Sequence, residues 1–317
     1  MAAAASRKRP APEEARPPSK RARYKFSKID DYELLEQLGE GAFGVVFRAR
    51  HRRTGEAVAV KRIRGGGGCL DAVVREAGCL AACRGHPSVV QIRDVASDAA
   101  TGDLYLVTEL VDGPSLRDWL TRPLPEAVAR GFMRQLLGAA ARMHAAPMVH
   151  RDIKPENVLV GGFGGELKIC DFGCATPAKT PYLGEGCVGT LQYSAPEQLE
   201  GGQCYGAAVD MWALGCVMAE LLVGAPLFTA DTEAGVLQQI EELRDGIEAV
   251  GLEAVDDLLE LSPAGREVLA GLLSFEPGER LTATEALRHR WLTEEKAECP
   301  VAANAEFPGF VPLFSAA

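Results

Sequence analysis

The first third of the chain carries its apolar residues in short runs that are separated by turn residues. Runs of this length, rich in β-branched and aromatic side chains, predict strands. One longer segment, Leu70 to Ala82, has apolar residues at helical spacing and follows the four glycines at 65–68. The predicted strands are Tyr32–Leu35, Gly44–Arg50, Ala57–Arg62, Val89–Val95 and Leu104–Thr108.

From Leu116 onward the apolar residues recur every three or four positions, which predicts helices. A strand-rich lobe at about 32–112 followed by a larger helical lobe at about 113–295 predicts an α+β, two-lobed fold. A cleft between two lobes is a common ligand site. The predicted helices are Ala127–His144, Val209–Val223, Glu233–Glu241, Gly265–Leu273 and Thr284–Leu292.

The two ends of the chain lack such patterns. Residues 1–31 form a predicted disordered, basic arm, because so few large apolar residues cannot offset the entropy of ordering. Residues 296–317 form a tail without periodicity, which either packs on the helical lobe or stays free.

The arm contains two basic clusters, Arg7–Arg9 and Lys20–Arg23, about ten residues apart. Paired clusters are typical of a nuclear localisation signal, so we expect the import machinery as a partner and the nucleus as the location. The alternative is a solvated basic tail on a cytoplasmic protein.

Composition narrows the function classes. The 317 residues are 47% apolar and 25% charged, which is typical of a globular protein. The net charge is −10, but residues 1–28 carry +7, so the rest carries −17 and direct nucleic-acid binding is not expected. We expect no membrane segment, because no apolar run reaches about 18 residues. Nine cysteines without a C-x-x-C pair favour a reducing compartment.

A glycine-rich segment lies between the first two predicted strands. Gly39 to Val46 reads GEGAFGVV, a G-x-G-x-x-G-x-V pattern. Backbone N–H groups of such a hairpin can close over nucleotide phosphates, although the pattern alone also fits a merely flexible hairpin.

Further motifs follow in a fixed order. They are Val58-Ala59-Val60-Lys61, Glu76 on the predicted helix, HRDIKPEN at 150–157, Asp171-Phe172-Gly173, Ala195-Pro196-Glu197 and DMWALG at 210–215. With these motifs, residues 32–295 resemble the eukaryotic protein kinase family. The resemblance implies transfer of the γ-phosphate of ATP to protein hydroxyls.

The residue types fit that chemistry, which needs charge neutralisation and alignment. Lys61 can hold the α- and β-phosphates while Glu76 orients it. Asp171 and Asn157 offer the hard oxygen ligands that Mg²⁺ prefers. Asp152 can accept the proton of the attacking hydroxyl. Lys154 can neutralise the γ-phosphate, and a lysine there resembles serine/threonine kinases.

The resemblance alone implies further roles. It implies that Thr190 shapes the hydroxyl site, that Glu197 pairs with Arg280 and that Asp210 holds the catalytic loop. The nucleotide site would comprise the gatekeeper Thr108, the backbone of Glu109 and Val111, and the contacts Leu38, Gly39, Glu40, Gly41, Ala42, Phe43, Gly44, Val46, Ala59 and Leu159. The alternative function is a pseudokinase scaffold that binds nucleotide or partners without catalysis.

Within the family, the chain resembles the cyclin-dependent kinases, and plant members of the F group above all. It departs from that group at the predicted helix, where LDAVVRE at 70–76 replaces the usual PSTAIRE. It also has Ser194 where the group has an arginine that supports selection of proline after the phosphoacceptor. Both cyclin dependence and proline direction therefore stay open.

The activation segment raises a regulatory question. In the cyclin-dependent group a phosphothreonine, bound by three arginines, occupies the position of Glu185. This chain keeps Arg75 and Arg151, but has Thr176 at the third position. We expect the Glu185 carboxylate to stand in for the phosphate. Alternatively, Glu185 is a solvated loop residue, and Thr176, Thr180 or Tyr182 is phosphorylated.

Overall fold

The computed structural model describes residues 25–41, 44–63, 69–162, 165–178, 188–201, 206–251, 258 and 260–293. The two basic clusters and the tail 296–317 lie outside the described residues. Among the described helices, none combines the length and the apolar character that a membrane span requires.

A six-stranded sheet forms the first lobe. Its strand order is β1-β5-β6-β4-β3-β2, and all neighbours are antiparallel except the parallel pair β1 and β5. The strands are β1 (Ser27–Lys28), β2 (Tyr32–Gly41), β3 (Gly44–His51), β4 (Ala57–Ile63), β5 (Ile92–Ser97) and β6 (Leu104–Glu109).

The register of β4 and β6 gives this sheet two different faces. Val60 pairs with Val107, and both belong to an outer core with Ile29 and Tyr32. The next pair, Lys61 and Leu106, points to the opposite face, because successive side chains of a strand alternate. That inner face carries helix α1 (Cys69–Ala82).

The second lobe is mainly helical. Its helices are α2 (Leu116–Trp119), α3 (Glu126–Ala145), α4 (Pro196–Leu199), α5 (Ala208–Val223), α6 (Glu233–Val250), α7 (Pro263–Leu272), α8 (Ala283–Arg288) and α9 (Arg290–Thr293). Helix α5 is apolar on almost every side and lies at the centre, in contact with α3 and α7. A helix with apolar residues all round is stable only when it is buried in this way.

Two small sheets lie between the lobes and hold the candidate site. One pairs β7 (Met148–Val149) with β10 (Thr176–Pro177), and the other pairs β8 (Val158–Gly161) with β9 (Glu166–Ile169). The HRDIKPEN segment joins β7 to β8, and the Asp171-Phe172-Gly173 segment joins β9 to β10. The sheets therefore bring two motifs together that are about 20 residues apart.

Several element boundaries differ from the predictions. The predicted arm reached residue 31, but Ser27–Lys28 forms β1 and Ile29–Asp31 a 3-10 turn, because Ile29 packs into the outer core. Strand β5 begins at Ile92 instead of Val89. Residues 88–90 bond to the second lobe instead, where Val90 N–H donates to the Ile169 carbonyl at 3.0 Å.

Two helix predictions also needed correction. Helix α6 runs to Val250 and ends at Gly251, whose φ of 76° suits glycine. The last predicted helix is divided into α8 and α9, because His289 has an extended backbone with ψ of 145°.

Candidate active site

The catalytic loop is fixed by a buried carboxylate on helix α5. The Asp210 carboxylate accepts hydrogen bonds from the backbone N–H groups of His150 and Arg151, each at 2.9 Å, and it contacts His144 Nε2 at 2.9 Å. Arg151 has a left-handed φ of 67°, a strained conformation that persists only when its surroundings hold it. Burial opposes the charge of Asp210, but the hydrogen bond and charge of His144 outweigh it, and the pKa is lowered. The predicted role of Asp210 in holding this loop is confirmed.

The residues predicted for hydroxyl activation converge on one carboxylate. The Thr190 hydroxyl donates to Asp152 Oδ1 at 2.8 Å and accepts from Lys154 Nζ at 2.5 Å. The Asn157 amide donates to Asp152 Oδ2 at 2.9 Å and to the Asp152 carbonyl at 2.8 Å. Asp152 is thereby held between the catalytic loop and the activation segment.

Lys61 lies between two carboxylates at the inner face of the sheet. Its Nζ is 2.8 Å from Glu76 Oε1 on α1 and 2.7 Å from Asp171 Oδ1. Burial alone would lower the pKa of Lys61, but the charges of Glu76 and Asp171 raise it overall. The predicted ion pair of Lys61 with Glu76 is present, and the lysine is held in its charged form.

The segment after β9 turns sharply at Asp171. This residue has a left-handed φ of 56°, which directs its carboxylate toward Lys61. Phe172 is fully buried and packs edge-on against the His150 ring, with centroids 4.7 Å apart. Burial raises the pKa of the neighbouring Cys170 thiol to about 12, so this cysteine is uncharged.

The predicted nucleotide contacts that the structure describes lie on strands of the first lobe, except for Val111, which follows β6, and Leu159 on β8. Ala59 pairs with Thr108 across β4 and β6, so both point to the inner face with Lys61. Leu38 is 47% exposed on β2. Val46, Val111 and Leu159 are partly exposed, and Leu159 bridges to Ser115 at the start of the second lobe.

The glycines of the hairpin are not equivalent. Gly44 has a φ of 144°, and a Cβ there would lie 1.9 Å from the Arg62 carbonyl oxygen, so only glycine fits. A Cβ on Gly39 or Gly41 would meet nothing within 4 Å. Their backbone is therefore open to close approach by a phosphate. Glu40 is exposed on the same strand, and Ala42 and Phe43 lie outside the described residues.

The site has oxygen donors that suit Mg²⁺. The side chain of Asp171 is 31% exposed. The NH₂ group of Asn157 donates hydrogen bonds to Asp152, so the amide oxygen of Asn157 can serve as a metal ligand. No described group of three or more His, Cys, Asp or Glu side chains could enclose a metal. Two donors suit a magnesium ion that is shared with nucleotide phosphates.

The end of the activation segment packs closely on the catalytic loop. Gly189 has a φ of 105°, and a Cβ there would lie 2.3 Å from the Arg151 carbonyl oxygen. Sequence reasoning did not assign this glycine, although its place directly before Thr190 was the available signal. The predicted pair of Glu197 and Arg280 is confirmed as a bidentate contact at 2.6 and 2.8 Å.

The structure describes only some of the residues that were predicted to be regulatory. Glu185, Thr180 and Tyr182 lie outside the described residues. The charges of Arg75 and Arg151 both act on Cys79, where they oppose the rise in its pKa caused by burial. Thr176 is 7% exposed in β10, which disfavours it as a phosphorylation site.

One network was missed by sequence reasoning. Arg117 on α2 contacts the buried Glu220 on α5 and the Tyr193 hydroxyl, and its Nε donates to Glu156 Oε1 at 2.8 Å. The Tyr193 hydroxyl donates to Glu220 Oε2 at 2.6 Å. These partners lie 39 to 103 residues from Arg117, so no local sequence signal connects them. Through this network α5 is connected to α2 and to Glu156 of the HRDIKPEN segment.

Comparison with known proteins agrees with this geometry. Residues 32–292 match the protein kinase domain. The chain is 45% identical to the rice protein "Putative cyclin-dependent kinase F-2" (Oryza sativa subsp. japonica), over 84% of this chain and 91% of that protein.

Two more distant relatives lead to the same family. Cyclin-dependent kinase 4 of Ovis aries is 36% identical, over 84% of this chain and 97% of the relative. Serine/threonine-protein kinase ppk23 of Schizosaccharomyces pombe is 32% identical, over 90% of this chain and 76% of the relative. The predicted two-lobed α+β fold and the resemblance to cyclin-dependent kinases of the F group are confirmed, and the chain belongs to the protein kinase family.

Proposed function

We propose that this kinase transfers the γ-phosphate of ATP, with Mg²⁺, to serine and threonine hydroxyls of protein substrates. The observation that carries the proposal is the contact of Asp152 Oδ1 with the Thr190 hydroxyl at 2.8 Å. A hydroxyl already bonded to this carboxylate marks the place where a substrate hydroxyl can be oriented. ATP supplies the phosphoryl group when it is bound.

Each polar residue then has a separate task. Asp152 orients the attacking hydroxyl and accepts its proton. Lys154, whose Nζ is 3.3 Å from Asp152 Oδ2, brings a positive charge to the point where negative charge develops. Lys61, fixed by Glu76, holds the phosphates, and Asp171 with Asn157 holds the metal ion.

The rival function is a pseudokinase scaffold. A scaffold needs the fold and the partner surfaces but not the contacts among Lys61, Glu76 and Asp171 at 2.7–2.8 Å. That this charged set is complete and mutually in reach favours catalysis.

The deciding experiment uses the full chain from bacteria, labelled ATP with Mg²⁺, and three peptide libraries with serine, threonine or tyrosine as the fixed acceptor. We expect label on the serine and threonine libraries and background label on the tyrosine library. Nucleotide binding without label on any library would establish the scaffold instead. The same libraries report whether proline is preferred after the acceptor.

The arm and the family also support proposals for the location and the partners. The two basic clusters support import into the nucleus, and the relatives named as cyclin-dependent kinases make a cyclin a candidate partner. Alanine at Lys20, Arg21 and Arg23 should move a fluorescent fusion toward the cytoplasm. An unchanged nuclear distribution contradicts the import role.

A further inference from the structure

One residue of helix α1 belongs to a small core on which a residue near the start of the described chain packs. Val73 on α1 is fully buried and forms a small core with Ile63 of β4 and Leu104 of β6. Phe26, the residue before β1, packs on this core and is itself partly buried. The aromatic ring therefore contacts the cluster that joins the helix to the sheet.

The same short segment holds the edge of the sheet from both sides. Ser27 and Lys28 pair with Ala96 and Ser97 of β5 as a parallel strand. Ile29 then packs into the outer core, on the face opposite to Phe26. The segment 26–29 is therefore held at three points, by the pairing of the strand, by the packing of Phe26 and by the packing of Ile29.

We propose that residues 26–29 act as a built-in support for helix α1, which helps to hold Glu76 against Lys61 in the absence of an activating protein. Val73 lies one helical turn before Glu76, so a contact that fixes Val73 also fixes the carboxylate. A second protein can still bind α1, since Leu70 on this helix is 38% exposed.

The sequence around α1 makes such a contact useful. The four glycines at 65–68 precede the helix, and glycine gains the most conformational freedom when a segment unfolds. The described support of the helix consists of the ion pair of Glu76 with Lys61, packing on β5, β6 and the turn after Asp171, and the small core of Val73 on which Phe26 packs.

The test compares three variants of the full chain. Phe26→Ala removes the ring, Phe26→Leu keeps an apolar side chain, and Lys28→Ala changes an exposed residue of the same strand as a matched control. Two quantities are measured for each variant: hydrogen exchange of the backbone amides in α1 and in α5, and phosphotransfer to the best library peptide without any added partner.

We expect Phe26→Ala to speed exchange in α1 at least fivefold while α5 is unchanged, and to lower phosphotransfer at least fivefold. Phe26→Leu should lie near the wild type, and Lys28→Ala should equal it. Unchanged exchange in α1, equal acceleration in both helices, or unchanged phosphotransfer would each overturn the proposal.

The measurement of phosphotransfer rests on the proposed function, but the measurement of hydrogen exchange does not. If the wild type transfers no phosphate, the proposed function fails, while exchange in α1 still decides whether residues 26–29 hold the helix.

Discussion

Two helices each carry one carboxylate of the site, Glu76 on α1 and Asp210 on α5, and the two helices are held in very different ways. In α5, thirteen of sixteen residues are buried, from Val209 to Leu221. In α1, the buried residues among those with described side chains are Val73, Glu76, Cys79 and Leu80. The carboxylate on α5 is therefore fixed by the core, whereas the carboxylate on α1 depends on a few contacts.

This difference divides the site by task. Asp210 on α5 fixes the loop that carries Asp152, so the hydroxyl side of the cleft is set once the core has folded. Glu76 on α1 fixes Lys61, so a movement of the helix can form or break the ion pair that orients Lys61 on the phosphate side of the cleft. Regulation can act on the phosphate side at little cost in stability, because few buried contacts must change.

The largest effect should come from the hydroxyl side. Asp152→Asn removes the proton acceptor but keeps a side chain of the same shape, so we expect phosphotransfer to fall by about 10²–10⁴-fold. Fluorescent-nucleotide titration should give unchanged ATP affinity, since Asp152 is not placed on the phosphates. Full activity of this variant would refute the assigned role.

Removing Arg117 should lower the free energy of unfolding, because its partner Glu220 is buried on α5. Arg117→Met leaves the buried Glu220 without its cation, and breaking a buried pair in this way costs about 3 kcal/mol. Urea unfolding measures the change.

The matched control for this variant is Arg290→Met, which breaks an exposed pair with Glu267 and should cost less than about 1 kcal/mol. Equal losses for the two variants would show that the Arg117 network does not anchor the cleft to α5.

A smaller effect is expected at the activation segment. If the Glu185 carboxylate serves Arg75 and Arg151 in place of a phosphate, Glu185→Ala should lower the activity of unphosphorylated protein about fivefold. That loss corresponds to about 1 kcal/mol, in the range of a charge-assisted contact at the surface. Glu185→Thr should regain activity only after treatment with an activating kinase, and a fully active Glu185→Ala would refute the substitution.

The smallest effect concerns pH. The pKa of Asp210 is lower in the folded protein than its ordinary value, so its stabilising contribution is complete above that value and is lost as pH falls through the lower, folded one. Asp210→Asn should therefore flatten the acid side of a stability profile measured by thermal unfolding. An unchanged profile would show that other carboxylates control acid unfolding.

Sequence patterns could predict most of the site because its residues lie in short motifs with fixed chemistry, such as Lys61, Asp152 and Asp171. They could not predict contacts between distant segments. Arg117 contacts Glu220 across 103 residues, and Phe26 lies within the segment 1–31, whose polar, basic composition predicts disorder. In both cases the contact is formed by tertiary packing, and the local sequence gives no signal that identifies the partner residue.

Hydrogen exchange of the wild-type chain, with and without ATP and Mg²⁺, tests the contrast between the two helices most directly. We expect nucleotide to slow exchange in α1, because phosphates on Lys61 favour the state in which Glu76 is paired. The amides of α5 should not change, because the core already holds them. Equal slowing in both helices, or none in α1, would contradict the division of the site into a fixed and an adjustable side.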